Sequence, residues 1–118
     1  MAKEQKYDLE ERTFVFAKSV RLFAFEAKNN FFVIDDLKQV VRSSGSIGAN
    51  YIEVNDSISQ KDKIHRVMIC KKEAKETVYW LELIQTEGKE LEDTRIALIK
   101  EAKELVLIFA AILRKIEK

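Results

Sequence analysis

His65 and Cys70 are the side chains whose types first suggest covalent chemistry, as base and nucleophile, and each is the only one of its kind. Nucleophilic catalysis needs the base beside the nucleophile and a third group to orient it. Cys70 falls on the apolar stripe of its helix and is predicted to lie in the core, so neither a Cys–His pair nor a Ser–His–Asp triad is supported. Two-iron bundle sites need a Glu-x-x-His on each of two helices, and here there is one Asp62-x-x-His65 and no second histidine. His65 reads instead as a surface residue near the start of its helix. Gly45 and Gly48 fall inside a helical pattern rather than after a strand, which excludes a glycine-rich phosphate loop. The expectation is a protein that is not an enzyme, with no cofactor, no metal and no small-molecule substrate.

Binding chemistry has more material. Lys61, Lys72 and Lys75 share one sector of a helix, and with Arg42 on the preceding helix they form a candidate nucleic-acid surface, since ammonium and guanidinium groups neutralise phosphates. Lys63 and Arg66 project elsewhere, and Glu73 and Glu76 interrupt the basic ring. Tyr79 and Trp80 are the aromatic groups available for base stacking. A solvated face laced with ion pairs has the same composition. A second constellation lies on the helix before it. Arg42, Ser46, Ala49 and Glu53 fall at successive turns opposite the Leu37-Val41-Gly48 stripe, with Asn50 beside them. Small residues in the middle would admit a partner while Arg42, Asn50 and Glu53 supply directional hydrogen bonds; an ordinary solvent face reads the same way.

The elements that must position these groups are helices. Asp8 and Glu11 have capping-box spacing, and Leu9, Thr13, Phe16, Ala17, Val20, Phe23, Ala24 and Ala27 recur at three and four, ending at Asn29-Asn30. Leu37, Val40, Val41, Ser44, Ile47, Gly48 and Tyr51 form a second stripe. Gly48 costs about 1 kcal/mol relative to Ala in a helix, so close approach of a neighbouring backbone is expected there. Ser59 with Asp62 marks a third helix start, with a core stripe of Ile64, Val67, Cys70, Ala74, Val78 and Leu81 and Gly88 as its left-handed C-terminal cap. Leu98, Ala102, Leu105, Phe109, Ile112 and Ile116 make a nearly heptad fourth helix. The spans predicted are about 8–28, 33–54, 60–87 and 92–116. Together they give one all-α domain over residues 1–118, an antiparallel up-down-up-down four-helix bundle.

Totals agree with that class. There is no proline and only three glycines in 118 residues, against 47% hydrophobic and 35% charged, which favours long helices over a β-sandwich rich in turns. A net charge of +1 from 21 basic and 20 acidic side chains produces no long-range field toward a polyanion or membrane, so any nucleic-acid site must be local. A lone cysteine fits a reducing compartment, no apolar run approaches a membrane span, and the charged start is unlike a secretory leader. The expected location is cytoplasmic.

The apolar positions also exceed the needs of one core. On the fourth helix they cover an arc of roughly 200°, where roughly 100° serves an ordinary surface helix. Met68, Tyr79 and Leu83 point away from the core stripe of the third helix, and Phe14, Leu22 and Phe25 lie off that of the first. Large exposed apolar patches usually mark protein interfaces, so self-association through the outer faces of the first, third and fourth helices is expected.

Three blocks resemble a known family: Arg42-Ser43-Ser44-Gly45-Ser46-Ile47-Gly48-Ala49-Asn50-Tyr51-Ile52-Glu53, then Ser59-Gln60-Lys61-Asp62, then Glu73-Ala74-Lys75-Glu76-Thr77-Val78-Tyr79-Trp80-Leu81. Together with Tyr7-Asp8-Leu9-Glu10-Glu11-Arg12 they look like the four-helix bundle proteins related to the product of the 23S ribosomal RNA intervening sequence. The resemblance implies a ring, a homopentamer in characterised relatives, without known catalysis. It extends to the accessory protein of diversity-generating retroelements, which is strongly basic and works with a reverse transcriptase and RNA; the +1 charge of this chain departs from that relative. The function expected is a non-catalytic homo-oligomeric scaffold or adaptor associated with a nucleic acid or nucleoprotein. The alternative is an oligomeric protein–protein interaction module with no nucleic-acid role. Arg42, Ser46, Asn50, Glu53, Tyr79, Val106 and Leu113 are the expected partner or oligomer contacts.

Overall fold

Four helices, α1 (Ala2–Ala27), α2 (Ile34–Asn55), α3 (Gln60–Leu83) and α4 (Lys89–Ile116), account for nearly all of the chain. The computed structural model describes residues 2–30 and 33–117, with side chains from Leu9 onward, and contains no strand among them. Helix α1 starts at Ala2, not at the expected capping box, because Ala2, Lys3, Glu4, Gln5 and Lys6 are all good helix formers and nothing in them stops the helix. The Asp8 side chain lies outside the described residues.

The start of α3 is as expected: the Ser59 hydroxyl accepts the Asp62 backbone N–H at 3.0 Å, satisfying one of the free amides of the first turn. Its end is not. Helix α3 stops at Leu83, where Ile84 turns to an extended conformation and carries its side chain into the core at 1% exposure. Gly88, with φ 88° and ψ 149°, is therefore the N-terminal cap of α4 rather than the C-terminal cap of α3, and its positive φ is a conformation that only glycine adopts without strain. The connector is held by Arg95, which donates to the Leu81 carbonyl at 2.8 Å and pairs with Glu92, whose carboxylate also accepts the Thr86 hydroxyl at 2.7 Å.

All four helices supply one core, in which Val20 and Phe23, Val40 and Ile47, Val67 and Leu81, and Leu105 and Phe109 are fully buried. Neighbours around it run α1, α2, α3, α4 and back to α1. Paired positions run in opposite numerical order. Asn50 meets Arg66, Ile47 meets Cys70 and Ser43 meets Thr77 across α2 and α3. Gln60 reaches the Ile116 carbonyl while Arg95 reaches that of Leu81 across α3 and α4. On α1, Thr13 and Arg21 approach Gly48 and Gly45 of α2, and Arg12 makes a two-pronged pair with Glu101 of α4 at 2.6 and 2.8 Å.

The α4 stripe needs a correction. Its buried positions are Leu98, Ala102, Leu105, Phe109 and Leu113, not Ile112 and Ile116, which are only partly buried. A straight helix drifts by about 20° per heptad, and by the last turn that drift carries Leu113 into the core at 9% exposure. Leu113 thus packs mainly within its own chain rather than on the outer face.

Candidate functional site

Two surfaces hold the polar and basic residues, and they differ in what those residues already bind. The first is the seam between α2 and α3. Arg42 lies here, donating to Glu73 at 3.3 Å, to Glu76, and to the Gln39 side-chain oxygen at 3.2 Å. Asn50 donates to the backbone and hydroxyl oxygens of Ser46 at 2.9 and 3.0 Å and accepts from Arg66 at 3.1 Å. Beneath them the Ser43 and Thr77 hydroxyls are 2.7 Å apart and fully buried. The Glu73 carbonyl is an acceptor for Thr77 at 2.8 Å and the Val40 carbonyl one for Ser43 at 3.4 Å, and the shorter of the two favours Ser43 as the donor of the pair.

Arg42, Ser46 and Asn50 were expected opposite the core stripe, facing a partner or phosphate. They instead sit on the flank that adjoins α3, where Arg42 and Asn50 donate within the chain and the Ser46 hydroxyl accepts from Asn50. The physical reason is reach: an arginine two residues from the buried edge can lay its stem along the neighbouring helix and place its fork on carboxylates there. Glu73 and Glu76, which read from the sequence as interruptions of a basic ring, are the two acceptors. A Glu-x-x-Glu spacing puts both on one helix face, and that was the available signal. Glu53 is exposed, and Ala49 beside it is too.

The second surface is the joint of α3 and α4. Two adjoining clefts run along it, one of about 320 Å³ lined by Met68, Lys71, Lys72, Lys75 and Leu113, the other of about 410 Å³ lined by Lys75, Val78, Lys103, Val106 and Leu107. The floor is apolar and the rim is ammonium. Lys103 pairs with Glu82 at 3.5 Å; among the described residues Lys71, Lys72 and Lys75 have no ion pair. The structure therefore brings Lys72, Lys75 and Val106 together and adds Lys71 and Lys103, which the sequence reading missed because the groove is made by two helices. Lys61 lies in the same sector of α3, three turns earlier or roughly 16 Å along the axis. Tyr79, further along that sector, is 56% exposed and meets Trp80 edge-on at 5.1 Å between ring centres. Trp80 is partly buried against the core, and its indole N–H is buried with no acceptor among the described residues.

A third feature is the joint of α1 and α2, where Glu10, Glu11, Phe14 and Ile52 line a cleft of about 370 Å³. Phe14 and Ile52 are 62% and 51% exposed. The rest of the outer α1 face continues with Leu22 and Phe25, both 66% exposed, and the Lys28 ammonium stands 3.9 Å over the Phe25 ring, a cation–π contact.

The residues that suggested covalent chemistry are separated by environment. Cys70 is buried, with its thiol directed at the Ile47 carbonyl at 3.5 Å, and burial pushes its pKa up to about 12, which withholds the thiolate that nucleophilic attack requires. His65 is exposed. Among the described residues no three His, Cys, Asp or Glu side chains converge as a metal site would need, and no helix is long and apolar enough to cross a membrane.

A shared core, a polar seam between two helices and apolar, charge-rimmed joints on the outside define an all-α protein of the helical-bundle class. The chain belongs to the 23S rRNA-intervening sequence protein family, whose sequence model matches residues 5–111. It is also similar in structure to a protein of unknown function from the S23 ribosomal protein family of Bacteroides thetaiotaomicron, with a TM-score of 0.72 and 30% identity over 88% of this chain and 96% of that one. No curated protein matches.

Proposed function

We propose that this protein is a non-catalytic, homo-oligomeric scaffold or adaptor of the cytoplasm, an antiparallel up-down-up-down four-helix bundle whose copies close into a ring, pentameric as in characterised relatives of the family it resembles. The opposite numerical order of the helix pairings supports the topology. One observation carries the assembly: with the core already filled, Phe14, Leu22, Phe25, Ile52, Met68 and Leu107 remain between 51% and 68% exposed. Apolar surface of that extent is stabilised by burial against another chain, at about 25 cal/mol per Å² covered. Light scattering on the purified chain tests this directly. A multiple of 13.7 kDa at micromolar concentration is expected, and a particle of 13.7 kDa would remove the proposal.

A second reading, association with a nucleic acid or nucleoprotein, is favoured by the lysine-rimmed α3–α4 groove and the exposed Tyr79 near it. Arg42 contributes nothing to it while paired with Glu73 and Glu76. Counterion release makes phosphate binding fall steeply between about 50 and 200 mM salt, so RNA retention that is insensitive to salt, or absent at 50 mM, would exclude this reading. The protein would then be an interaction module for protein alone.

A further inference from the structure

Two joints on opposite sides of the bundle carry opposite charge. Because neighbours run α1, α2, α3, α4 in order around the core, the α1–α2 joint and the α3–α4 joint face away from each other. The first combines Phe14 and Ile52 with the carboxylates of Glu10 and Glu11, and Glu53 and Asp56, both exposed, lie within one turn of Ile52; against these four carboxylates stands one ammonium, Lys18, 5.7 Å from the centre of the Phe14 ring. The second combines Met68, Val78 and Leu107 with the ammoniums of Lys71, Lys72, Lys75 and Lys103. The chain as a whole is nearly neutral at +1, while the first joint carries an excess of carboxylates and the second, even with Lys103 paired to Glu82, an excess of ammoniums.

We propose that the occupant of the α3–α4 groove is a second copy of this chain, seated through its acidic α1–α2 joint, so that copies join head to tail. This rests on the homo-oligomeric reading above and adds which face meets which. The charges decide between the two ways of pairing. Laying groove on groove in a two-fold dimer brings the lysines of one copy against those of the other, and laying joint on joint does the same with carboxylates; like charges facing each other across an interface oppose it. Groove against joint places ammonium opposite carboxylate, with the exposed rings and aliphatic side chains of both covered between them. Such a contact uses different patches on the two partners, leaves one of each unoccupied, and therefore propagates until rotation closes a ring. The groove is thereby occupied by protein, and its lysines are withdrawn from phosphate.

Three forms of the full-length chain test the pairing: K72E/K75E, which reverses the groove; E10K/E11K, which reverses the joint; and the four substitutions combined. Sedimentation is expected to show each double variant dissociated at concentrations at least tenfold above those at which the wild type holds together. An equal mixture of the two double variants should co-assemble in alternation, because the acidic joint of the first meets the basic groove of the second and the reversed joint of the second meets the reversed groove of the first. The fourfold variant should reassemble, its charges being exchanged on both sides. Circular dichroism establishes that each variant is folded; should E10K/E11K lose helicity through the Glu10–Asn55 hydrogen bond, E11K alone makes the same test. A wild type that is monomeric overturns the oligomeric reading and this inference with it. A wild-type oligomer that either double variant leaves intact, or a mixture in which the two variants do not co-assemble, overturns the head-to-tail pairing alone.

Discussion

Gly48 of α2 lies so close to Thr13 of α1 that a Cβ added at position 48 would stand 3.2 Å from the Thr13 hydroxyl oxygen and 3.5 Å from its Cβ. The hydroxyl is itself fixed, donating to the Glu10 carbonyl at 3.0 Å, so it has little room to retreat. Gly48→Ala should change stability by less than about 1 kcal/mol, the gain in helix propensity offsetting the tight contact. Gly48→Val adds bulk with no further propensity gain and should cost about 2–3 kcal/mol. Urea denaturation of the two variants measures the difference; equal stability would mean that α1 and α2 are not in close contact here.

Arg42→Ala should destabilise the chain by about 1 kcal/mol, a value set low because the side chain is 48% exposed and solvent screens the pair. Glu73, whose side chain is only 12% exposed, loses its partner and contributes most of that cost. Arg42→Lys should recover little, since a point ammonium cannot engage two carboxylates as the guanidinium fork does. Thermal melts together with sedimentation check this, and a change in oligomer size without a change in melting would mean that Arg42 faces a partner after all.

Acid stability should depend on Glu92. The Arg95 guanidinium first, and then the Thr86 hydroxyl, hold its carboxyl at about 2 against an ordinary 4.5. A folded-state value below the unfolded one adds stability that is present above pH 4.5 and is lost as pH falls through 4.5 toward 2. In Glu92→Gln, the fall in melting temperature across that window should be shallower than in the wild type. Parallel curves would show that the carboxylate is not paired in solution.

Cys70 should label only on unfolding. Burial raises the thiol to about 12 from an ordinary 9, so the folded state is favoured below pH 9 and loses that contribution as pH rises from 9 toward 12. At pH 8 a thiol reagent should modify the native protein at the rate of opening and the urea-unfolded chain within seconds to minutes; immediate modification of the native protein would place Cys70 at the surface.

How much of this could be read from residues alone depended on whether one helix or two decided the matter. The helical class, the Ser59 cap and the buried stripes through Phe23, Ile47 and Leu81 follow from spacing within a single segment. Gly88 misled because the sequence does not say that Ile84 leaves the helix to fill the core, and a glycine five residues past Leu83 suits the end of one helix as well as the start of the next. Leu113 misled because a heptad template ignores cumulative drift. The surface sites were the least legible: Arg42 is defined by Glu73 and Glu76, 31 and 34 residues away, and the lysine groove by Lys75 and Lys103 on different helices. Residue type announces what a side chain can bind, and tertiary placement decides whether it is still available.

Aliphatic helix faces can slide along one another at small cost, since one leucine fills a hole much as the next does. The hydroxyl pair of Ser43 and Thr77 does not permit this. A displacement by one helical turn, about 5.4 Å, would set each hydroxyl against hydrocarbon and move Arg42 off its carboxylates, at about 1–3 kcal/mol for each polar group left wanting. The oily residues drive α2 and α3 together; these few oxygens and nitrogens choose the notch in which they stop.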